Sequence, residues 1–295
     1  MHIRIRAFNV KGSELAQGGQ VIVPTGNDFR QKELDCAIEL ARAAGQILLA
    51  FYAQKPELES KAGGEPVTVA DCAVNDFLVN ELRRRFPKDG ILSEEGPDDA
   101  SRRDRRRVWI VDPLDGTREF AEHRNEFSVM IGLAVESFPA IGVVYDPGSD
   151  QLYYAAAGSG AFLVNKCGSV TQLRVSREAD PRKMTVALSR SHHSPEADQI
   201  CRRLGIGQSL YSGSLGLKIG MICEGSAHLC LYTTCHVAQW DTCAPDALLR
   251  EAGGRMTDLR GAPLCYNGPE LRHRNGVIAS NGTIHDRIVE AASHV

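Results

Sequence analysis

No window of about eighteen apolar residues occurs in the 295-residue chain, which excludes an ordinary membrane-spanning helix. The opening residues lack the apolar core and small-residue cleavage site of a secretory signal. Charge imbalance is missing too: 34 Lys and Arg stand against 37 Asp and Glu, leaving a net charge of −3. Such a balance gives no electrostatic footprint for nucleic acid or an anionic membrane, so an anionic substrate must be held by local devices. The nine cysteines form no CxxC pair, and Cys230, Cys235 and Cys243 have spacings that match no zinc site. An odd number of thiols scattered along a long chain reads as reduced cysteine in a cytoplasmic protein. Repeats, low-complexity tracts and a Pro/Ser-rich linker are absent as well, which argues against a string of loosely tethered domains.

What is present is a chain with 43% hydrophobic residues, enough for a large core. Residues 1–27 read as a loosely attached extension. Leu34, Ala37, Ile38, Ala41, Ile47 and Leu48 recur at helical spacing, predicting a helix from Asp28 to about Ala53. Gly63 to Pro66 read as a turn. Thr68 is a good N-cap with Asp71 three residues on, so a second helix is expected over 69–86. Short apolar strands end at Ser93 and just before Asp112, and buried strands over 127–135 and 140–145 are expected to join at a turn on Pro139. The basic run 101–107 reads as a solvated loop. Further on, strand-like runs alternate with helices over 195–204, 214–224 and 242–252. The expected organisation is α+β, with a 28–164 subdomain and a 165–295 subdomain packed tightly around a shared crevice.

The stretch Trp109 to Thr117 (WIVDPLDGT) carries the chemistry. An apolar strand delivers Asp112 to its C-terminal end. Asp115 follows three residues later, Gly116 lets backbone N–H groups approach a ligand, and Thr117 opens a helix whose positive end suits phosphate. Two carboxylates this close repel each other unless a cation lies between them, and hard divalent ions with oxygen ligands, such as Mg2+, suit them. Alone, the pattern is matched by any Asp-Gly turn. Glu94 and Glu95, just past another short strand, and Asp241, read as the N-cap of a later helix, add acidic groups at element ends, and together they suggest a two-metal centre.

Four segments, PVTVAD (66–71), EEG (94–96), WIVDPLDGT (109–117) and WDTCAPDALLREAGG (240–254), resemble the motifs of the inositol monophosphatase-like, lithium-sensitive phosphatase superfamily, in the same order. The resemblance spans nearly all of 30–290. It implies a layered α/β/α/β/α sandwich and a phosphomonoesterase using two or three Mg2+ ions. It implies that Glu94, Asp112 and the Leu114 carbonyl bind one ion, and that Asp112, Asp115 and Asp241 bind a second. Glu94, with Thr117 and Asp71 behind it, would activate the attacking water, and the amides of Gly116 and Thr117 would hold the phosphate. Lys61 resembles a family lysine near the metal site.

Within that superfamily, WDTCAPD and Ser189 to His192 resemble the 3'(2'),5'-bisphosphate nucleotidase branch. Lys218 falls where that branch places a lysine near a nucleotide phosphate. His192, Gly213 and Ser214 are the other substrate contacts this implies, and Thr234 stands where inositol monophosphatases carry a ring-contacting glutamate. The expected substrate is a small phosphorylated metabolite, 3'(2')-phosphoadenosine 5'-phosphate. An inositol-1-monophosphatase or broad sugar phosphatase is the alternative. A non-catalytic metabolite- or RNA-binding member is a further one, with only the basic run and the N-terminal Arg residues for it. Plain readings also stand: a solvated Lys218, a surface His192, and Ser214 as a helix cap. Monomer and homodimer are both left open.

Overall fold

The computed structural model describes residues 27–54, 59–60, 66–191 and 194–294. Of the extension read over 1–27, residues 1–26 lie outside the described residues, as do the turn residues 63–65, Lys61 and His192, whereas Asn27 opens the first helix.

Two helices open the fold, α1 (Asn27–Tyr52) and α2 (Val69–Arg85), with a two-residue pair β1 (Glu59–Ser60) and β2 (Pro66–Val67) between them. The Thr68 capping box forms as expected: the Thr68 side chain accepts from the start of α2, and Asp71 accepts the Thr68 N–H at 2.7 Å. A seven-stranded sheet follows in chain order: β3 (Gly90–Ser93), β4 (Arg107–Asp115), β5 (Ser128–Val135), β6 (Phe138–Asp146), β7 (Gln151–Ala156), β8 (Gly160–Val164) and β9 (Val170–Leu173). Within this sheet, among the described residues, only β3 and β4 pair in parallel. The short helix α3 (Thr117–Ala121) lies between β4 and β5. The second sheet contains β10 (Thr185–Ser189), β11 (Gln208–Ser212), β12 (Leu229–Tyr232), β13 (Arg255–Thr257) and β14 (Val277–Ser280), in the spatial order β11-β10-β12-β14-β13. Helices α4 (Pro195–Leu204), α5 (Leu215–Glu224), α6 (Gln239–Glu251) and α7 (His285–Ala292) complete the chain.

Side-chain alternation along the strands explains the layering. Trp109 and Val111 point from β4 into a core with Leu40 and Leu48 of α1 and Leu78 of α2. Val108 and Ile110 point the other way, into a core with Leu217 of α5 and Leu248 of α6. That second core also takes Ala187, Cys230 and Ala279 from the five-stranded sheet, whose opposite face packs Val186, Leu229 and Ile278 against Ile200 of α4 and Ile288 of α7. The result is the α/β/α/β/α sandwich. Because both faces of the large sheet are covered, β4 is apolar without a break from Val108 to Val111 rather than alternating. Each fully buried Leu or Ile contributes about 1.5–3 kcal/mol.

One pair of glycines determines where α6 sits. Gly132 and Gly142 face each other across β5 and β6. A Cβ at Gly132 would lie 2.7 Å from the Cys243 sulfur, and one at Gly142 would collide with the Ala244 carbonyl. With no Cβ at either position, the helix backbone rests directly on the sheet.

Three local expectations are corrected. Pro139 is not a turn residue; it lies in β6 opposite Ala134, and Glu136 and Ser137, with φ of 51° and 68°, make the turn. Positive φ at both central positions is the two-residue hairpin geometry that matches strand twist. Next, β4 does not stop before Asp112 but continues through an irregularity to Asp115, which pairs with Ser128. Finally, the basic run is not wholly solvated: Arg102 is 1% exposed and donates to Asp98, Asn267 and the Gly268 carbonyl.

Candidate active site

Parallel pairing of β3 and β4 places Ser93 beside Val111, so Glu94, leaving β3, comes alongside Asp112 in β4. The Glu94 N–H donates to the Val111 carbonyl at 3.2 Å, which fixes that exit. The irregularity before Asp115 turns its carboxylate toward α5. There Asp115 Oδ2 accepts from the Ser214 hydroxyl and from the Gly216 N–H at 2.8 Å. From the opposite side, α6 brings in Asp241. Its expected place as N-cap is corrected: Ala238 is the N-cap, and Asp241, three residues on, reaches back to accept the Ala238 N–H at 2.6 Å. Ala238 has no side-chain oxygen, so the carboxylate one turn later takes over part of the capping.

The four carboxylates share one electrostatic neighbourhood. Asp112 is buried, and its pKa is driven far above the usual carboxylate range by desolvation, then by the charges of Glu94, Asp115 and Asp241. Asp241 is raised by burial and by Glu94 and Asp115, against the Ala238 N–H and Arg272, which lower it. The Leu114 N–H donates to Asp112 at 3.0 Å. Among the described residues, no three acidic, histidine or cysteine groups already form a closed cation cage. The donor set nonetheless fits a hard divalent cation: oxygen ligands, desolvated and mutually repelling, with partners that hold one oxygen of Asp115 and of Asp241.

Behind them lies a fifth carboxylate. Asp71 Oδ2 accepts the Thr68 hydroxyl at 2.6 Å, and Asp71 Oδ1 lies 3.1 Å from the Thr117 hydroxyl, which is also 3.0 Å from the Leu114 carbonyl. Burial raises the Asp71 pKa, while Thr68 and Thr117 oppose the shift. Gly116 adopts φ of 96°, and a Cβ there would press on the Glu126 carbonyl, so the turn into α3 needs glycine.

On the other wall, Ser214 is fully buried and caps α5 through the Leu217 N–H at 3.0 Å, while the Gly213 N–H donates to Glu126 at 3.0 Å. Lys218 is not solvated at all: it is 0% exposed, and its ammonium donates to the carbonyls of Ser212 at 2.8 Å and Gly213 at 3.1 Å. Several groups at this wall were not picked out in the sequence. Glu126 accepts from two guanidinium nitrogens of Arg190, Glu119 accepts the Ser191 hydroxyl, and Arg272 faces Asp241. Glu126 and Arg190 are 64 residues apart, so no local pattern signals the pair.

The profile of the Inositol monophosphatase family matches residues 30–295. The chain belongs to the inositol monophosphatase family. It is 38% identical over 241 residues to the 3'(2'),5'-bisphosphate nucleotidase CysQ of Escherichia coli strain K12, covering 80% of this chain and 95% of that one. The crystal structure of CysQ from Bacteroides thetaiotaomicron superposes with a TM-score of 0.72 at 30% identity, over 86% of this chain and 99% of that one. Inositol monophosphatase from Anabaena superposes with a TM-score of 0.72 at 29% identity, over 90% and 97% of the two chains. Family membership and these relatives make the chain a metal-dependent phosphatase acting on small phosphorylated metabolites. No helix among the described residues is long and apolar enough to cross a membrane.

Proposed function

We propose that the chain is a Mg2+-dependent phosphomonoesterase that hydrolyses 3'(2')-phosphoadenosine 5'-phosphate to AMP and phosphate in the cytoplasm. The convergence of Glu94, Asp112, Asp115 and Asp241 in one charged neighbourhood carries the reading. Glu94, Asp112 and the Leu114 carbonyl would hold one ion, and Asp112, Asp115 and Asp241 another. Bound there, Mg2+ supplies charge neutralisation for the phosphoryl group and acidifies water.

The chain's own residues do the rest. Thr117, poised between the Asp71 carboxylate and the Leu114 carbonyl, has a hydroxyl oxygen able to accept a hydrogen bond from water while donating one to Asp71. Glu94, half-buried, stands as the base for that water. The backbone amides of Gly116 and Thr117 orient the phosphate, and Gly213 and Ser214 form the substrate wall. Phosphoryl transfer needs such positioning more than covalent help. The nucleotide assignment is supported by relatives named 3'(2'),5'-bisphosphate nucleotidase and by Thr234, a residue without a carboxylate for inositol hydroxyls.

Phosphate release measured with Mg2+ on 3'-phosphoadenosine 5'-phosphate, inositol 1-phosphate and fructose 1,6-bisphosphate tests the assignment. The expected kcat/KM favours the nucleotide by on the order of 100-fold. A preference for inositol phosphate overturns the nucleotide reading, and no release from any of them overturns catalysis.

A further inference from the structure

Lys218 lies one turn into α5, with no exposed surface. The chain reverses between β11 and α5 at Ser212 and Gly213, and their carbonyls turn inward beneath the helix start. Buried carbonyls must find donors. The Lys218 ammonium supplies two, at 2.8 and 3.1 Å, and the Tyr232 ring lies 5.6 Å from it. The turn it holds continues directly into Ser214 and Gly216, which donate to Asp115 Oδ2 alongside a longer contact from Ser128 at 3.5 Å. Ser214 is further braced by Ser128 at 3.0 Å. Asp115 Oδ1 has no hydrogen-bond partner among the described residues, which leaves it as the oxygen open to a cation. Burial lowers the Lys218 pKa, against Cys230, Asp115, Glu119 and Glu126, which favour the cation. With two of its three N–H donors taken by carbonyls, the fully buried ammonium presents no exposed surface to a substrate phosphate.

We propose that Lys218 is a positioning residue rather than a substrate contact: it holds the Ser212–Gly213 turn, and through Ser214 and Gly216 it fixes the Asp115 carboxylate for metal binding. The inference rests on the proposed role of Asp115 as a metal ligand. Supports one step behind a metal ligand commonly alter metal affinity or activity by 10- to 100-fold when removed.

Titration calorimetry of MgCl2 into the metal-free protein separates the two claims. Wild type should bind, and Lys218→Met should bind about tenfold more weakly. Absence of binding to wild type sinks the metal-site reading and this inference with it. Equal binding by the two proteins sinks the inference alone. In turnover, Lys218→Met should lower kcat/KM by the same factor on 3'-phosphoadenosine 5'-phosphate and on 3'-AMP, which lacks the second phosphate. A loss confined to the bisphosphate marks a direct phosphate contact and refutes the proposal. Should the variant not fold, wild-type protein labelled with 15N-lysine carries the test. The Lys218 Nζ signal should be protected from exchange and unmoved by adenosine 3',5'-bisphosphate with Ca2+, and a large shift on that addition contradicts the proposal.

Discussion

Asp112→Asn should abolish turnover and, in the absence of metal, make the protein more stable. The side chain is 1% exposed and faces Glu94, Asp115 and Asp241. Two unit charges about 6 Å apart at an effective dielectric near 20 repel by roughly 3 kcal/mol. The three neighbours are only half-buried, so solvent screens part of this, and removing the Asp112 charge should relieve about 1–3 kcal/mol. Asparagine keeps the shape and still accepts the Leu114 N–H. For a chain of this size the relief corresponds to a rise in Tm of roughly 2–5 °C. Thermal unfolding with EDTA present measures it. Adding Mg2+ should reverse the order, since wild type gains about 2.7 kcal/mol at a metal concentration 100 times Kd and the variant gains less. A metal-free variant that melts below wild type, or that retains near-normal phosphatase activity, refutes the reasoning.

Other perturbations probe the supports. Gly142→Ala drives a methyl into the Ala244 carbonyl and should destabilise the fold by about 1–3 kcal/mol in urea unfolding; an unchanged midpoint contradicts the direct seating of α6 on the sheet. Thr117→Val preserves shape but removes the hydroxyl beside Asp71, and kcat should fall on the order of 100-fold with KM little changed; a change in KM alone contradicts a role in water activation. His285 is buried between the hydroxyls of Thr257 and Ser280, each at 2.8 Å, and its pKa is pulled down to about 4 from 6.5. The unfolded chain therefore takes up a proton that the fold refuses, so stability should fall as pH drops from about 6.5 to 4, by up to about 3 kcal/mol. His285→Gln should flatten that slope in pH-dependent denaturation, and an unaltered slope would show that His285 titrates normally in the fold.

Local patterns carried much of this architecture. Thr68 and Asp71 form a capping box within four consecutive residues, and it is where the sequence places it. The carboxylates of WIVDPLDGT are visible because an apolar strand and an Asp-Gly turn are adjacent in the chain. What local reading misplaced depended on distant partners or on the absence of a usual residue. The turn at Glu136–Ser137 has positive φ without glycine, so Pro139 drew the assignment instead. Asp241 was placed at the helix start because Ala238, the actual cap, has no polar side chain to signal it. Arg102 in a basic run looks solvated until Asn267 closes over it from far along the chain. Lys218 looks like a surface or substrate lysine because nothing nearby in sequence reveals that the carbonyls of Ser212 and Gly213 fold back beneath it.

The central claim, paired cations gathered by carboxylates from three separate segments, is tested most directly by crystals soaked in MnCl2 and examined for anomalous scattering. Peaks bounded by Glu94, Asp112, Asp115 and Asp241, and missing in Asp112→Asn crystals, are the predicted result. Manganese bound elsewhere, with that pocket empty, contradicts the account.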